Sequence, residues 1–280
     1  MATNPDPIKG PCVLGIDAAW TAHQPSGIAL VQRTTAGWSC LAVAPSYEAF
    51  INQASGQAWD PKQKATGSRP NPAALLQASQ QLAGAKVSCV SVDMPLATTP
   101  ITSRRAADTA ISSRFGAQGC AVHSPSAERP GAMADQLRAD FAALGVPLRT
   151  RGSKQTTPAL IECYPHVALL ALLKREKRVP YKVSRSGQYW KDEQLTRHER
   201  IERLLDQFQR IKAGLDQHIR GIQEFIPEPS EVKTLASLKS VEDRLDGLIC
   251  AWIGIEHLEG RTVGLGDDTA AIWVPATVAE

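Results

Sequence analysis

Cys12-Val13-Leu14-Gly15-Ile16-Asp17 is an apolar run closed by a carboxylate, and the chain repeats the device. Val87-Ser88-Cys89-Val90-Ser91-Val92 closes on Asp93, and Asp243 and Asp246 stand near the start of the apolar stretch Leu245 to Leu258. A carboxylate packed at a strand end is costly unless something positive meets it. If these strands are neighbours in one sheet, their like charges converge and repel. A divalent cation resolves the repulsion, because hard cations such as magnesium take carboxylate, water and phosphate oxygens. The pattern therefore points to phosphate chemistry.

Around the first run, Gly27 to Gln32 and Trp38 to Ala44 read as two more strands, separated by turn-rich pieces at Gln24-Pro25-Ser26-Gly27 and Thr34-Thr35-Ala36-Gly37. The short spacing predicts an antiparallel meander. Residues 55 to 72 are rich in Gly, Pro, Lys and Asn and read as a loop, and Pro72 to Ala83 reads as a helix with proline in its first turn. The strand Val87 to Val92 then returns across that helix, which predicts parallel pairing with one of the first three. Further helices are expected from Ser103 as N-cap to about Ser113, over Gly131 to Leu144, over Pro165 to Leu173 and over Glu242 to Leu258. Ala159 to Cys163 reads as a fifth strand, and Ala270 to Val274 as a terminal one.

The segment 174–239 reads as an insertion within a single domain spanning 10–275, helical in its middle. Leu195, Ile201, Leu204, Leu205, Phe208, Ile211 and Leu215 supply a stripe at spacings of three and four. Between Lys174 and Lys212 there are twelve Lys or Arg against six Asp or Glu, which concentrates positive charge in a chain whose formal net charge is only +3. Such a segment is either a grip on nucleic-acid phosphates or a solvated helical face.

The 280 residues, 43% hydrophobic, can build an ordinary core. The six cysteines, at 12, 40, 89, 120, 163 and 250, form no CxxC pair and read as buried thiols of a reducing compartment, not as a disulfide frame or zinc site. Met1 to Pro7 has no basic region followed by an apolar stretch, and no segment reaches the roughly 18 apolar residues of a membrane span. A cytoplasmic location with no membrane partner is the expectation. There is no GxxxxGK[ST] loop, GxSxG elbow or HExxH helix.

Five stretches in order, Gly15-Ile16-Asp17 with Ala18-Ala19-Trp20, Val92-Asp93-Met94-Pro95-Leu96, Arg104-Arg105-Ala106-Ala107-Asp108, Glu162-Cys163-Tyr164-Pro165-His166, and Asp243 to Ala251, resemble the motifs of the DUF429 family of predicted ribonuclease H-like nucleases. The resemblance spans about residues 12 to 275. It departs from the family pattern at Leu96-Ala97-Thr98-Thr99, where a glycine usually follows the proline, and in the length of the basic insertion.

The resemblance implies a ribonuclease H-like α/β fold, with a mixed sheet of three antiparallel strands plus parallel strands, flanked by helices. It implies a divalent-metal-dependent nuclease that hydrolyses phosphodiester bonds of DNA or RNA with Mg2+ or Mn2+. In such enzymes two ions about 3.5–4 Å apart are held by carboxylates from the first strand, a central strand and the last helix. Those roles fall on Asp17, Asp93 and Asp246, with Asp243 as a further ligand and Glu162 as a fourth catalytic candidate. Arg104, Arg105 and His166 become candidate substrate contacts.

The residues also admit plainer readings. Asp17 can cap a turn, Asp93 can mark a proline-stiffened strand exit, and one of the helix aspartates can favour the positive end of the helix dipole. Glu162 can face solvent on an edge strand, the two arginines can pair with Asp108 on the helix surface, and His166 can be structural. Two other functions remain open: an actin-like phosphotransferase or nucleotide hydrolase, and an inactive nucleic-acid or protein binding module that keeps the fold.

Overall fold

A computed structural model describes residues 9–57, 59–60, 63–154 and 156–279. The stretch Met1 to Pro7 lies outside the described residues. Strand β1 (Cys12–Asp17) pairs antiparallel with β2 (Gly27–Thr34), which pairs antiparallel with β3 (Gly37–Ala44). This is the expected meander.

Helix α1 (Tyr47–Ala54) follows, capped by Ser46, and then α2 (Pro72–Ala83). Asn71 caps α2 through Ala74 N–H, Pro72 fills its first turn, and Gly84 ends it in the left-handed region at φ +61°. The crossover through α2 brings β4 (Cys89–Val92) parallel to β1, as the right-handed connection requires.

Helices α3 (Ala106–Phe115) and α4 (Ala132–Ala143) precede β5 (Ala159–Cys163), which is parallel to β4. After β5 come α5 (Pro165–Leu172), the single turn α6 (Ser186–Tyr189), α7 (Arg197–Asp216) and α8 (Lys239–Leu258). Strand β6 (Thr262–Gly266) forms a hairpin with β7 (Ala271–Pro275), and β7 is parallel to β5. Among the described residues the sheet has seven strands in the order β3-β2-β1-β4-β5-β7-β6.

Helix α3 begins two residues later than the Ser103 cap predicts. Arg105 is its N-cap, and the Asp108 carboxylate reaches back to accept the Arg105 backbone N–H at 2.8 Å. Strand β6 and helix α1 were not expected from the sequence. Each is short, and β6 is half-exposed and carries two glycines, so neither has a strong periodic signal.

Alternation along the strands splits the core in two. Leu14, Ile16, Ile28, Leu30, Val90, Val92 and Leu160 pack with α1 to α4 on one face. Val13, Ala29, Val31, Cys89, Ile161 and Cys163 pack with α5, α7 and α8 on the other. The apolar stripe of α7 joins that second core through Ile201, Leu204, Leu205, Phe208, Ile211 and Leu215, so the basic insertion shares a core with the sheet. Its opposite side carries ion pairs: Arg203 with Glu193, Arg210 with Asp206 and Lys212 with Asp216. No described helix is long and apolar enough to cross a membrane.

Helix α8 lies on β1 and β2 at backbone contact distance because glycines face it. A Cβ at Gly27 would overlap the Asp243 carbonyl, and one at Gly15 would overlap Ala251 N and Gly247 O. Gly27→Ala is therefore expected to push the first turns of α8 off the sheet and to destabilise the protein by about 1–3 kcal/mol or more. Gly116→Ala is the control: its Cβ meets nothing, and φ is −61°. It should be neutral or stabilising by about 0.4–1 kcal/mol. Equal denaturant midpoints for the two variants would refute the close-approach argument.

Candidate active site

The glycine-mediated contact sets Asp243 and Asp246 against the end of β1. Asp17 pairs across the sheet with Gly27, the residue under the Asp243 carbonyl. One strand over, Asp93 N–H donates to the Ile16 carbonyl at 2.9 Å, so Asp93 stands beside Asp17 at the ends of two adjacent parallel strands. Four aspartates from three elements thus share one field. The Asp17 charge raises the pKa of Asp93, Asp243 and Asp246 alike.

The four differ in what meets them. Asp243 and Asp246 are buried, whereas Asp17 and Asp93 are only partly buried. Asp246 has both oxygens engaged: Tyr181 Oη donates to Oδ1 at 2.6 Å and Lys182 Nζ to Oδ2 at 2.6 Å. Asp243 Oδ1 accepts from Lys239 Nζ at 2.5 Å, while its Oδ2 is buried with no partner among the described residues. Glu242 accepts from Lys239 Nζ at 2.7 Å and from Val183 N–H at 2.6 Å, which clamps segment 181–183 onto the start of α8.

Burial pushes Asp243 up to about 8, with Asp17 adding to it and Lys239 opposing. Burial works against the charge on Lys182, yet Asp246 and Glu242 hold its pKa well above the ordinary lysine value. Asp93 is raised well above the usual carboxylate range, by burial and then by Asp17, with Lys182 opposing. Neither Asp17 nor Asp93 accepts a side-chain hydrogen bond among the described residues. Sequence reasoning missed Tyr181, Lys182, Lys239 and Glu242. The i+3 and i+4 spacing of Lys239 to Glu242 and Asp243 is a readable signal, but nothing in the sequence brings Lys182 to Asp246, 64 residues away.

Glu162 adds to the negative field at Asp93 but faces the other side of the sheet. Its partner across the sheet is Val92, a residue of the first core, and it points to the face opposite α8. There Arg105 Nη1 and Nη2 bind its two oxygens at 2.6 and 2.7 Å, and Leu96 N–H donates to Oε2 at 2.8 Å. The expectation that Glu162 shares a cation with Asp17 and Asp93 is therefore withdrawn. Arg105 is fully committed as well. Its five guanidinium N–H groups are matched by two contacts to Asp108, two to Glu162 and one to the Leu96 carbonyl. A guanidinium saturated in this way has no donor left for a phosphate, so the substrate-contact expectation for Arg105 is also withdrawn.

Arg104, just before α3, is exposed and bonded to Thr109 Oγ1, Ser112 Oγ and the Asp108 carbonyl of that helix, and to Ser124 Oγ. His166 is buried in the first turn of α5, where its Nε2 meets Arg178 Nη2 at 2.6 Å. An arginine can only donate, so Nε2 accepts and the proton sits on Nδ1. Burial and then Lys182 and Arg178 keep His166 neutral far below its ordinary pKa.

Among the described residues, no three His, Cys, Asp or Glu side chains are gathered as a group that could hold a cation. Lys182 and Lys239 bind oxygens of Asp246 and Asp243. Asp17 and Asp93 remain open, which fits magnesium, an ion commonly held by one or two carboxylates with waters and substrate phosphates completing its shell.

No curated protein and no solved structure matches the chain. A family model does, described as Protein of unknown function (DUF429), over residues 15–271. That span includes every aspartate of the cluster, and the chain belongs to this family.

Proposed function

We propose that the protein is a divalent-cation-dependent nuclease of ribonuclease H-like architecture that hydrolyses phosphodiester bonds of DNA or RNA. The observation that carries the reading is the pair Asp17 and Asp93, adjacent at the ends of parallel strands, partly exposed, with carboxylates that accept no hydrogen bond among the described residues. A Mg2+ or Mn2+ ion there would supply a Lewis acid for the scissile phosphate and lower the pKa of a bound water. Asp17 and Asp93 would hold it, with water and phosphate oxygens completing its shell. Tyr181 and Lys182 fix Asp246 in one orientation, and the charged Lys182 Nζ moderates the repulsion among the aspartates.

The insertion supplies phosphate affinity from its first part. Between residues 174 and 191 there are seven Lys or Arg against one Glu, and between 192 and 212 five against five. Arg178, Lys182 and Arg185 act together on His166, which places this charge beside the β5 end of the site. Arg185→Gln should flatten the dependence of log affinity on log salt by about 0.9 per lost duplex contact. Lys212→Gln, whose lysine is already paired with Asp216, should leave it unchanged. Equal slopes for the two variants would refute this division.

A second reading, an inactive nucleic-acid or protein interaction module, draws on the lysines that occupy Asp243 and Asp246. One assay separates the two. Pure protein incubated with labelled DNA and RNA of single-stranded, duplex and branched form should yield products with manganese or magnesium and none with EDTA. No cleavage of any substrate, or equal cleavage in EDTA, would refute the nuclease reading.

A further inference from the structure

At the opposite end of the sheet, Arg149 is 4% exposed, yet its Nε and Nη1 have no hydrogen-bond partner among the described residues. It lines a cavity of about 130 Å3 with Thr156, Thr157, Ala159, His257 and Leu258. The cavity is remote from the aspartates. It sits where β4 and β5 begin, not where they end, and His257 lies fourteen residues beyond Asp243 on α8, roughly 20 Å along the helix axis.

Among the described residues, no carboxylate pairs with the guanidinium. The titratable neighbour whose charge would favour the cation is Cys89, and burial pushes that thiol far up, so it is uncharged. His257 offers no anion either. Burial and Arg149 hold it at about 4, neutral at pH 7, while its Nδ1 lies 3.0 Å from Thr262 Oγ1. A buried arginine with free donors and no counter-charge is an expensive arrangement, and it is otherwise rare, because buried charges are paired.

We propose that this cavity binds a phosphate group, with Arg149 as its counter-charge and the Thr156 and Thr157 hydroxyls as rim donors. The planar guanidinium presents parallel N–H donors that match two oxygens of a tetrahedral oxyanion. Threonine hydroxyls can donate to the remaining oxygens. A cavity of about 130 Å3 has room for a phosphate group. This site does not depend on the nuclease reading.

The test is a calorimetric titration with inorganic phosphate in EDTA at constant ionic strength set by chloride. Wild type and Asp17→Asn should bind phosphate equally, whereas Arg149→Met should bind at least tenfold more weakly and Arg149→Lys should fall between. If Arg149→Met does not fold, Thr157→Val should still weaken binding severalfold. Competition by a nucleoside 5′-monophosphate would show that the site takes a terminal phosphomonoester. Its failure, with phosphate still bound through Arg149, would show a site for the free ion. No phosphate binding by wild type, or wild-type affinity in both Arg149→Met and Thr157→Val, would overturn the proposal.

Discussion

Asp93→Asn is expected to lose divalent-dependent cleavage by about a hundredfold or more, some 2.7 kcal/mol of transition-state stabilisation, while melting at a higher temperature than the wild type in EDTA at pH 8. The two effects share one cause. The Asp93 carboxylate accepts no hydrogen bond among the described residues, and burial, then Asp17 and Asp246, raise its pKa well above the usual range against the opposing Lys182 charge. A carboxyl whose folded pKa exceeds its unfolded one binds more protons in the native state. Its contribution to stability is therefore present at low pH and lost as pH rises above the unfolded value of about 4. Asparagine keeps the volume, removes the charge and with it this loss, but offers a cation one neutral oxygen. Asp17→Asn should lose cleavage to a similar extent. Full activity in either variant would remove the pair from the active site, and a lower melting temperature for Asp93→Asn in EDTA would make its role structural.

Arg105→Met should unfold far more readily, by about 3–5 kcal/mol. Arg105 is the shared counter-charge of two buried carboxylates, Asp108 and Glu162, whose side chains are 2% and 4% exposed. Deleting it strands both. The loss should be greatest at neutral pH and shrink on acidification, because burial already raises the Glu162 pKa and Arg105 is the principal group opposing that shift. The double variant Arg105→Met with Glu162→Gln should recover part of the stability, which a denaturant double-mutant cycle measures directly. A change of under about 0.5 kcal/mol in Arg105→Met, the range typical of surface sites, would show that the triad carries no stability.

Much of this architecture was readable in the chain. The antiparallel meander, the α2 helix from Pro72 to Ala83 and the strand from Ala159 to Cys163 follow from turn residues, caps and apolar runs, which are local signals. Asp17, Asp93, Asp243 and Asp246 were readable for the same reason, as charges interrupting apolar segments. The partners of those charges were not. Lys182 reaches Asp246 and Arg105 reaches Glu162 only because distant segments fold together. The side of the sheet that Glu162 faces depends on pairing register, and a shift of one residue would reverse it. The grip of α8 on β1 and β2 left a sequence trace in Gly15, Gly27 and Gly247, but a glycine names its neighbour only once the fold is known.

The most direct measurement is diffraction from crystals soaked in manganese, with anomalous maps recorded for wild type and for Asp17→Asn. An anomalous peak is expected at the Asp17 and Asp93 carboxylates in the wild type, with its loss in the variant and Lys182 still on Asp246. A wild-type map with no peak at that pair, from crystals of protein that cleaves nucleic acid in the same manganese buffer, would contradict the metal assignment.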